Sequence, residues 1–166
     1  IQALMEDLQE DVKNTTQVEV IVNGQRATAQ LAGCCHPVQG DAICVFERAG
    51  HGITVHRASC KHAQAGRTTD TSRWDDAIWG DNHNQQFSVP IDLKVGDVRK
   101  GIYETTQTIT QEGATIVGLN IPDDLNDPEL QLLVQVDNRI QLMRVIRALN
   151  QVPNIKEVKR KFESAY

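Results

Sequence analysis

The sequence predicts an α+β protein with two parts: a small β-rich cysteine module, then a ferredoxin-like βαββαβ unit. Asn23-Gly24 stands between two alternating runs and indicates a hairpin, because both residues tolerate positive φ. From residue 87 to 162, segments whose apolar residues recur at every second position alternate with segments whose apolar residues follow the helical period of about 3.6 residues. A turn-like stretch at 80–84 marks the boundary. The predicted segments are a helical remnant or linker (1–16), the cysteine module (17–82) and the βαββαβ unit (83–166).

The first part contains mostly short strands. Leu4, Leu8 and Val12 recur every four positions among acidic residues, which predicts a helix over residues 1–13. The elements predicted after it are strands at 18–22, 25–29, 41–46 and 53–56, a short helix at 58–64 that carries Cys60, a polar loop at 65–73 and a strand at 74–80.

The second part alternates strands with helices. Asp97 is a good N-cap for a helix through Glu112, with Gly113 just past its end. Asn138 caps a second helix in the same way. The strands are predicted at 87–93, 114–121, 130–136 and 155–162, with a turn at 122–128. This order predicts two helices on one face of an antiparallel sheet.

The net charge of −5 argues against a protein that coats nucleic acid non-specifically. The charge is uneven, however, because seven basic and two acidic residues follow position 138. Such residues often form an ordinary solvated face, so charge alone leaves an RNA-facing patch open. The candidates for such a patch are Arg139, Arg144, Arg147, Lys156, Lys159 and Arg160.

No apolar run approaches the ~18 residues that a membrane helix needs, so we expect no membrane partner. The chain begins at Ile1, which favours a piece of a longer protein. Adjacent cysteines pair with each other only under severe strain, and the His56–Cys60 spacing is typical of metal sites. We therefore expect a reducing, cytoplasmic setting.

Cys34, Cys35, His56 and Cys60 are the donors that a closed structural zinc site takes. On a helical turn His56 and Cys60 would face the same way. The adjacent cysteines reach one metal only if the chain turns sharply between them. The alternative is that these thiols are small core side chains and His56 a hydrogen-bonded core residue.

Two other uses of the cysteines are less well supported. Cys44 stands in an apolar strand, which favours the core over a ligand role. Cys35-His36 lacks an orienting group for nucleophilic catalysis.

The segment from Cys34 to Cys60, CCHPVQGDAICVFERAGHGITVHRASC, resembles the long RelA/SpoT enzymes, which make and degrade (p)ppGpp. In that family CC-x-P-x-x-G-D … G-x-G-[IV]-x-[VI]-H-R-x-x-C marks a small zinc-finger-like module near the C-terminus. His51 departs from the pattern, since the family usually has a basic residue such as arginine there.

Residues 86–162 resemble an ACT domain. The loop at 96–102 stands where ACT domains carry D-R-x-G-[LI], with a loose match around Arg99. The resemblance implies a small ligand such as a branched-chain amino acid, held by Asp97, Lys100, Gly101, Ile102 and Asn120. The alternative is that Asp97 is only an N-cap and Gly101 only a close-packing residue.

The resemblance implies the C-terminal regulatory end of a GTP pyrophosphokinase of the stringent response, RelA-like rather than bifunctional by its stretches at 76–80 and 149–154. The parent would move pyrophosphate from ATP to the 3′ hydroxyl of GTP or GDP. This piece shows no GxxxxGK[ST] loop and no hydrolase His-Asp pair, so we expect it to hold neither catalytic residues nor a catalytic cofactor.

The implied partners are the ribosome, through large-subunit rRNA, and uncharged tRNA. Two alternatives stay open. One is a sensor of a branched-chain amino acid, and the other is a dimerisation or autoinhibition module whose ACT sheets pair edge to edge.

Overall fold

The computed structural model describes residues 17–161, apart from 49, 51, 122, 124, 125 and 127. The helix expected at 1–13, His51, much of the turn at 122–128 and Phe162 therefore lie outside the described residues. The chain forms two compact units. The first ends at Asn82 and the second begins at His83, except that Val38–Asp41 belong to the second.

The described residues of the first unit form a closed five-stranded barrel and one helix. Its elements are β1 (Gln17–Val22), β2 (Gln25–Leu31), β3 (Ile43–Arg48), β4 (Gly52–Arg57), α1 (Lys61–Thr69) and β5 (Trp74–Trp79). The strand order is β1-β2-β4-β3-β5, and β5 pairs back onto β1. The β2–β4 pair is parallel and the other pairs are antiparallel. The predicted hairpin is confirmed, since Asn23 and Gly24 have φ angles of 52° and 80°.

The prediction for residues 58–73 is wrong in its boundaries. Cys60 is the N-cap of α1 and not a member of it, and the helix continues to Thr69 through the segment expected to be a loop. Small and polar residues favoured a loop, but packing decides here. Gly66 lies against Trp74, because a Cβ on Gly66 would stand 2.6 Å from the Trp74 Nε1. Ala63 is fully buried on the same helix.

The second unit confirms the predicted ferredoxin-like arrangement. Its elements are β6 (Phe87–Val95), α2 (Val98–Gln111), β7 (Thr115–Asn120), β8 (Glu129–Val136), α3 (Arg139–Asn150) and β9 (Ile155–Arg160), with sheet order β7-β8-β6-β9. Both predicted caps form: Asp97 accepts the Lys100 N–H at 3.0 Å, and Asn138 accepts the Gln141 N–H at 2.9 Å. Alternate β6 residues and one face of each helix form its core.

Val38–Asp41 add a buried ion pair to this unit. The Arg160 guanidinium donates to both carboxylate oxygens of Asp41, at 3.1 and 2.8 Å. Their side chains are only 2% and 6% exposed. The Arg139 N–H donates to the Gln39 carbonyl at 2.7 Å, so the segment lies at the start of α3. Gly40 fits there because a Cβ would stand 3.0 Å from that of Arg139.

Candidate metal centre

Two turns and the end of one strand of the first unit position the four donor side chains. Cys34 and Cys35 occupy the turn after β2, which the His36 N–H closes onto the Ala32 carbonyl at 3.2 Å. His36 takes a positive φ of 46°, so the chain bends sharply just past the cysteines. The turn that contains both cysteines gives the change of direction that adjacent ligands require.

His56 comes from the end of β4, where it is the penultimate residue, and Cys60 comes from the position just before α1. The Cys60 N–H donates to the Arg57 carbonyl at 2.8 Å, and this tight turn brings the thiol back toward the strand. The expected reason for their proximity, a shared helical turn, is therefore wrong.

The four donor atoms converge, and all lie within 4.8 Å of one another. The Cys34 Sγ lies 3.4 Å from the His56 Nδ1 and 3.7 Å from the Cys60 Sγ, and the Cys35 Sγ lies 4.0 Å from the same nitrogen. In a tetrahedral site with Zn–S bonds of about 2.3 Å and Zn–N bonds of about 2.0 Å, neighbouring donors lie roughly 3.5–3.8 Å apart. The side chains therefore fit a Cys₃His zinc site with small adjustments.

Burial sets the protonation of these groups. It raises the pKa of the Cys34 thiol, with the Cys60 side chain as the next cause, and it raises the pKa of Cys35. It lowers the pKa of His56 to about 4, with a smaller contribution from His62. Without a metal, Cys34 and Cys35 are therefore protonated thiols at neutral pH and His56 is a neutral imidazole. Binding a metal as thiolates would release protons.

The polypeptide around the donors supports anionic sulfur and places an aromatic ring beside the imidazole. The Arg57 backbone N–H donates to the Cys35 Sγ at 3.3 Å. The Trp74 ring lies 5.0 Å from the His56 ring and 4.9 Å from that of Phe46. Sequence reasoning missed Trp74, because its place in a short strand does not reveal what its ring covers.

Cys44 behaves as a core residue, as predicted. It is fully buried in β3 and packs in one cluster with Cys35 and Cys60, but it is not among the four converging donors. The two interpretations of the thiols therefore coexist, since Cys35 and Cys60 are at once buried core groups and candidate ligands.

The loop before α2 is held by Asn154, which precedes β9. The Asn154 amide accepts the Asp97 N–H at 2.8 Å and donates to the Asp97 carbonyl at 3.0 Å. A Cβ on Gly101 would stand 3.0 Å from the Val95 Cγ1, so this glycine permits close helix–strand packing. Capping and packing thus account for Asp97 and Gly101.

Among the described residues, no hydrogen bond joins the other three predicted ligand residues, Lys100, Ile102 and Asn120, to one another. Lys100 is exposed and Ile102 half-buried, both on α2, while the Asn120 amide on β7 donates to Gln131 at 3.0 Å. Binding of an amino acid here stays a prediction.

The six basic residues do not form one surface. Arg144 and Arg147 are exposed on α3, and Arg139 is half-exposed with its Nε 3.5 Å from the Asp41 carboxylate. Lys156 and Lys159 are exposed on β9. Lys159 lines a shallow depression together with the acidic Asp92, Glu129 and Glu157 and with Lys94. Arg160 is buried against Asp41, so it does not belong to an RNA-facing surface.

Two domain families match the chain in sequence. Residues 20–80 match the RelA/SpoT RIS domain, and residues 83–160 match an ACT domain. Among the described residues, no helix has the length and apolar character needed to cross a membrane.

Several curated relatives align with most of the chain. A GTP pyrophosphokinase of Escherichia coli K12 is 29% identical over 132 residues, which cover 78% of this chain and 18% of that protein. A bifunctional (p)ppGpp synthase/hydrolase RelA of Mycobacterium tuberculosis is 29% identical over 110 residues, which cover 66% of this chain and 15% of that protein. The chain thus spans less than a fifth of the length of these relatives.

A solved structure is similar to the second unit. The crystal structure of the ACT domain from a GTP pyrophosphokinase of Chlorobium tepidum covers 46% of this chain and 99% of that chain, at 18% identity and a TM-score of 0.40. The two domain matches are consecutive and the aligned relatives are RelA and GTP pyrophosphokinase enzymes. The chain therefore carries a RelA/SpoT RIS domain followed by an ACT domain.

Proposed function

We propose that this chain is the C-terminal regulatory part of a RelA-type GTP pyrophosphokinase, acting in the cytoplasm. It would sense amino-acid starvation by docking on ribosomes that hold uncharged tRNA, and it would control the catalytic half of its parent. The observation that carries this proposal is the consecutive RIS and ACT matches, within an alignment to GTP pyrophosphokinase over 78% of the chain.

For docking, the exposed arginines of α3 are the best candidates. Arg144 and Arg147 are exposed one turn apart on α3, and neither lines the depression in which Lys159 lies beside acidic residues. With few aromatic side chains in the chain, recognition would rest on phosphates and shape.

The test is sedimentation of this chain with purified ribosomes over a range of salt concentrations. We expect binding to weaken as salt rises, and the Arg144→Ala/Arg147→Ala variant to bind more weakly with a smaller salt slope. Arg26→Ala, which removes an exposed arginine of the first unit, is the matched control. Equal binding by the double variant would exclude this surface, and no ribosome binding at all would contradict the proposed docking.

Within this function, Cys34, Cys35, His56 and Cys60 would hold a structural zinc ion. Support comes from the convergence of one imidazole and three sulfur donors with spacings close to those of a tetrahedral site. The zinc ion would supply a fixed cross-link. Through it, the four ligand side chains would join the turn after β2 to the end of β4 and the start of α1.

Metal analysis of the purified chain under reducing conditions tests this role. We expect one zinc per chain, lost in Cys60→Ala but kept in Cys44→Ala. Cys44 is the matched control because it is equally buried yet outside the donor set. A zinc content that is the same in both variants, or zero in the unmodified chain, would remove the structural zinc from the proposal.

A homodimer through the second unit is a second candidate, favoured by the character of one sheet edge. β7 and β9 are the two edges of the sheet. β7 carries no charged residue, and Val117, Leu119 and the following Ile121 are 43–48% exposed. β9, by contrast, carries lysines and a glutamate, which oppose pairing at an edge. Edge pairing would therefore use β7.

Light scattering over a range of protein concentrations tests this second candidate. We expect a dimer that Leu119→Lys converts to monomer. Ile78→Lys, which changes an equally apolar exposed residue of the first unit, should leave it intact. A monomer at all concentrations, or a dimer that tolerates Leu119→Lys, would exclude pairing through this edge.

A further inference from the structure

The Cys34 and Cys60 sulfurs lie 3.7 Å apart, and no disulfide joins them. Cys34 is the partly exposed thiol of the four cysteines, whereas Cys35, Cys44 and Cys60 are buried. A dissolved oxidant therefore meets Cys34 first, with Cys60 directly behind it. We propose that the metal-free site is a redox site, in which a hydroperoxide converts Cys34 and Cys60 to an intramolecular disulfide.

The other possible partners of Cys34 are less suitable. A Cys34–Cys35 bond would close a small strained ring between neighbouring residues. The Cys35 sulfur is also held by the Arg57 N–H at 3.3 Å. Cys44 lies on β3 and is not among the converging donor atoms. Cys60 is thus the resolving thiol that the geometry provides.

Both side chains have freedom to close the remaining gap. A disulfide needs the sulfurs to approach to about 2.05 Å, which requires rotation of the two side chains and a small shift of one turn. Cys34 stands in a turn after Gly33, where a Cβ would meet nothing within 4 Å. Cys60 is the N-cap of α1 but makes no side-chain capping bond, so its thiol is not committed to the helix.

The chemistry balances with one peroxide for each disulfide. The Cys34 sulfur attacks one oxygen of hydrogen peroxide; the O–O bond breaks, the thiol proton leaves with the second oxygen as water, and a sulfenic acid forms. The Cys60 sulfur then attacks the Cys34 sulfur. The S–S bond forms, the S–O bond breaks, and the hydroxyl takes the Cys60 proton and leaves as water. Two thiols are oxidised and peroxide is reduced to two waters.

The disulfide and a metal exclude each other. Oxidation removes two of the four donors and leaves only Cys35 and His56, too few for a closed tetrahedral site. Conversely, a metal bound by the sulfurs would shield them from the oxidant. The inference uses the same side chains as the proposed zinc site, but it concerns their metal-free form and stands or falls separately.

The experiment treats the metal-stripped 166-residue chain with equimolar hydrogen peroxide and measures intact and peptide masses. Trypsin leaves Cys60 on the short peptide 58–61 and the other three cysteines together on peptide 27–48. We expect the chain to lose the mass of two hydrogens and these two peptides to be joined. The join should persist in Cys35→Ser and Cys44→Ser and disappear in Cys34→Ser and Cys60→Ser.

Two results would overturn the proposal. One is oxidation of Cys34 to sulfinic acid with no joined peptides. The other is a bridge that survives Cys34→Ser or depends on Cys44. If the chain forms the bridge but binds no zinc, this inference stands and the structural zinc is excluded. If the chain binds zinc but forms no bridge, the structural zinc stands and this inference is overturned. Zinc binding by the oxidised chain as tight as by the reduced chain would refute the mutual exclusion.

Discussion

Replacing Arg160 by alanine is expected to destabilise the second unit strongly. The change removes the bidentate partner of Asp41, whose side chain is only 6% exposed, and leaves an ion-pair contact of 3.5 Å with the partly exposed Arg139. Breaking a buried ion pair on one side typically costs about 3–5 kcal/mol, because a charge stays buried without compensation. That is a large part of the roughly 5–15 kcal/mol by which domains are stable.

Urea unfolding followed by far-UV circular dichroism measures this cost. Both tryptophans lie in the first unit, so their fluorescence would not report on β9. Hydrogen exchange of the β9 amides locates the effect. Lys159→Ala, the exposed neighbour on the same strand, is the control and should change stability by less than about 0.5 kcal/mol.

The reasoning would be refuted if Arg160→Ala cost less than about 1 kcal/mol, since a buried bidentate pair cannot be lost so cheaply. A double-mutant cycle with Asp41→Asn separates the pair from general packing. We expect the stability costs of the two substitutions to be strongly non-additive. Arg160→Ala leaves the Asp41 carboxylate without its main partner, and Asp41→Asn removes that same charge. Additive costs would mean that the two side chains do not interact in solution.

Three further outcomes are expected. Gly66→Ala should destabilise the first unit by roughly 1–3 kcal/mol and shift the tryptophan emission, since the new methyl would meet the Trp74 ring; an unchanged spectrum and stability would show that the ring is not packed there. Asn138→Ala should cost about 1 kcal/mol in a denaturant titration through loss of the α3 cap, whereas Asn138→Asp should retain most of it. Removing zinc with a chelator should speed hydrogen exchange at the start of α1 and leave α3 unaffected; equal acceleration in both helices would mean that the metal is not a local cross-link.

The second unit could be predicted almost completely, because its signals are local. Apolar residues alternate along β6 and β8. The capping residues Asp97 and Asn138 mark the starts of α2 and α3. The place of Arg160 was the exception. Arg160 alternates with Val158, so the strand pattern puts its side chain on the inward face of the sheet. Buried arginines are rare, however, and its charge therefore led to the prediction of an exposed, RNA-facing side chain.

The first unit could be predicted only in pieces. Its hairpin follows from Asn23-Gly24, but the parallel β2–β4 pair and the closure of β1 onto β5 join distant segments, which no local pattern encodes. The four donors were found by their spacing and by the family resemblance. How they meet could not be predicted, because the bonds that join the cysteine turn to the end of β4, from the Ala32 N–H to the Val55 carbonyl and from the Arg57 N–H to the Cys35 Sγ, connect segments that are distant in the sequence.

Barrel closure has a consequence for the order of folding. Val20 pairs with Trp79, so the last seam forms only after nearly the whole unit has been synthesised and its intervening chain ordered. All four donors, however, lie between residues 34 and 60, so β5 contributes none of them. Contacts between nearby segments form early and distant pairings late, because long loops cost more entropy to close. We therefore expect a metal bound by the nascent chain to fix the middle of the unit first and to shorten the search by which β5 finds β1.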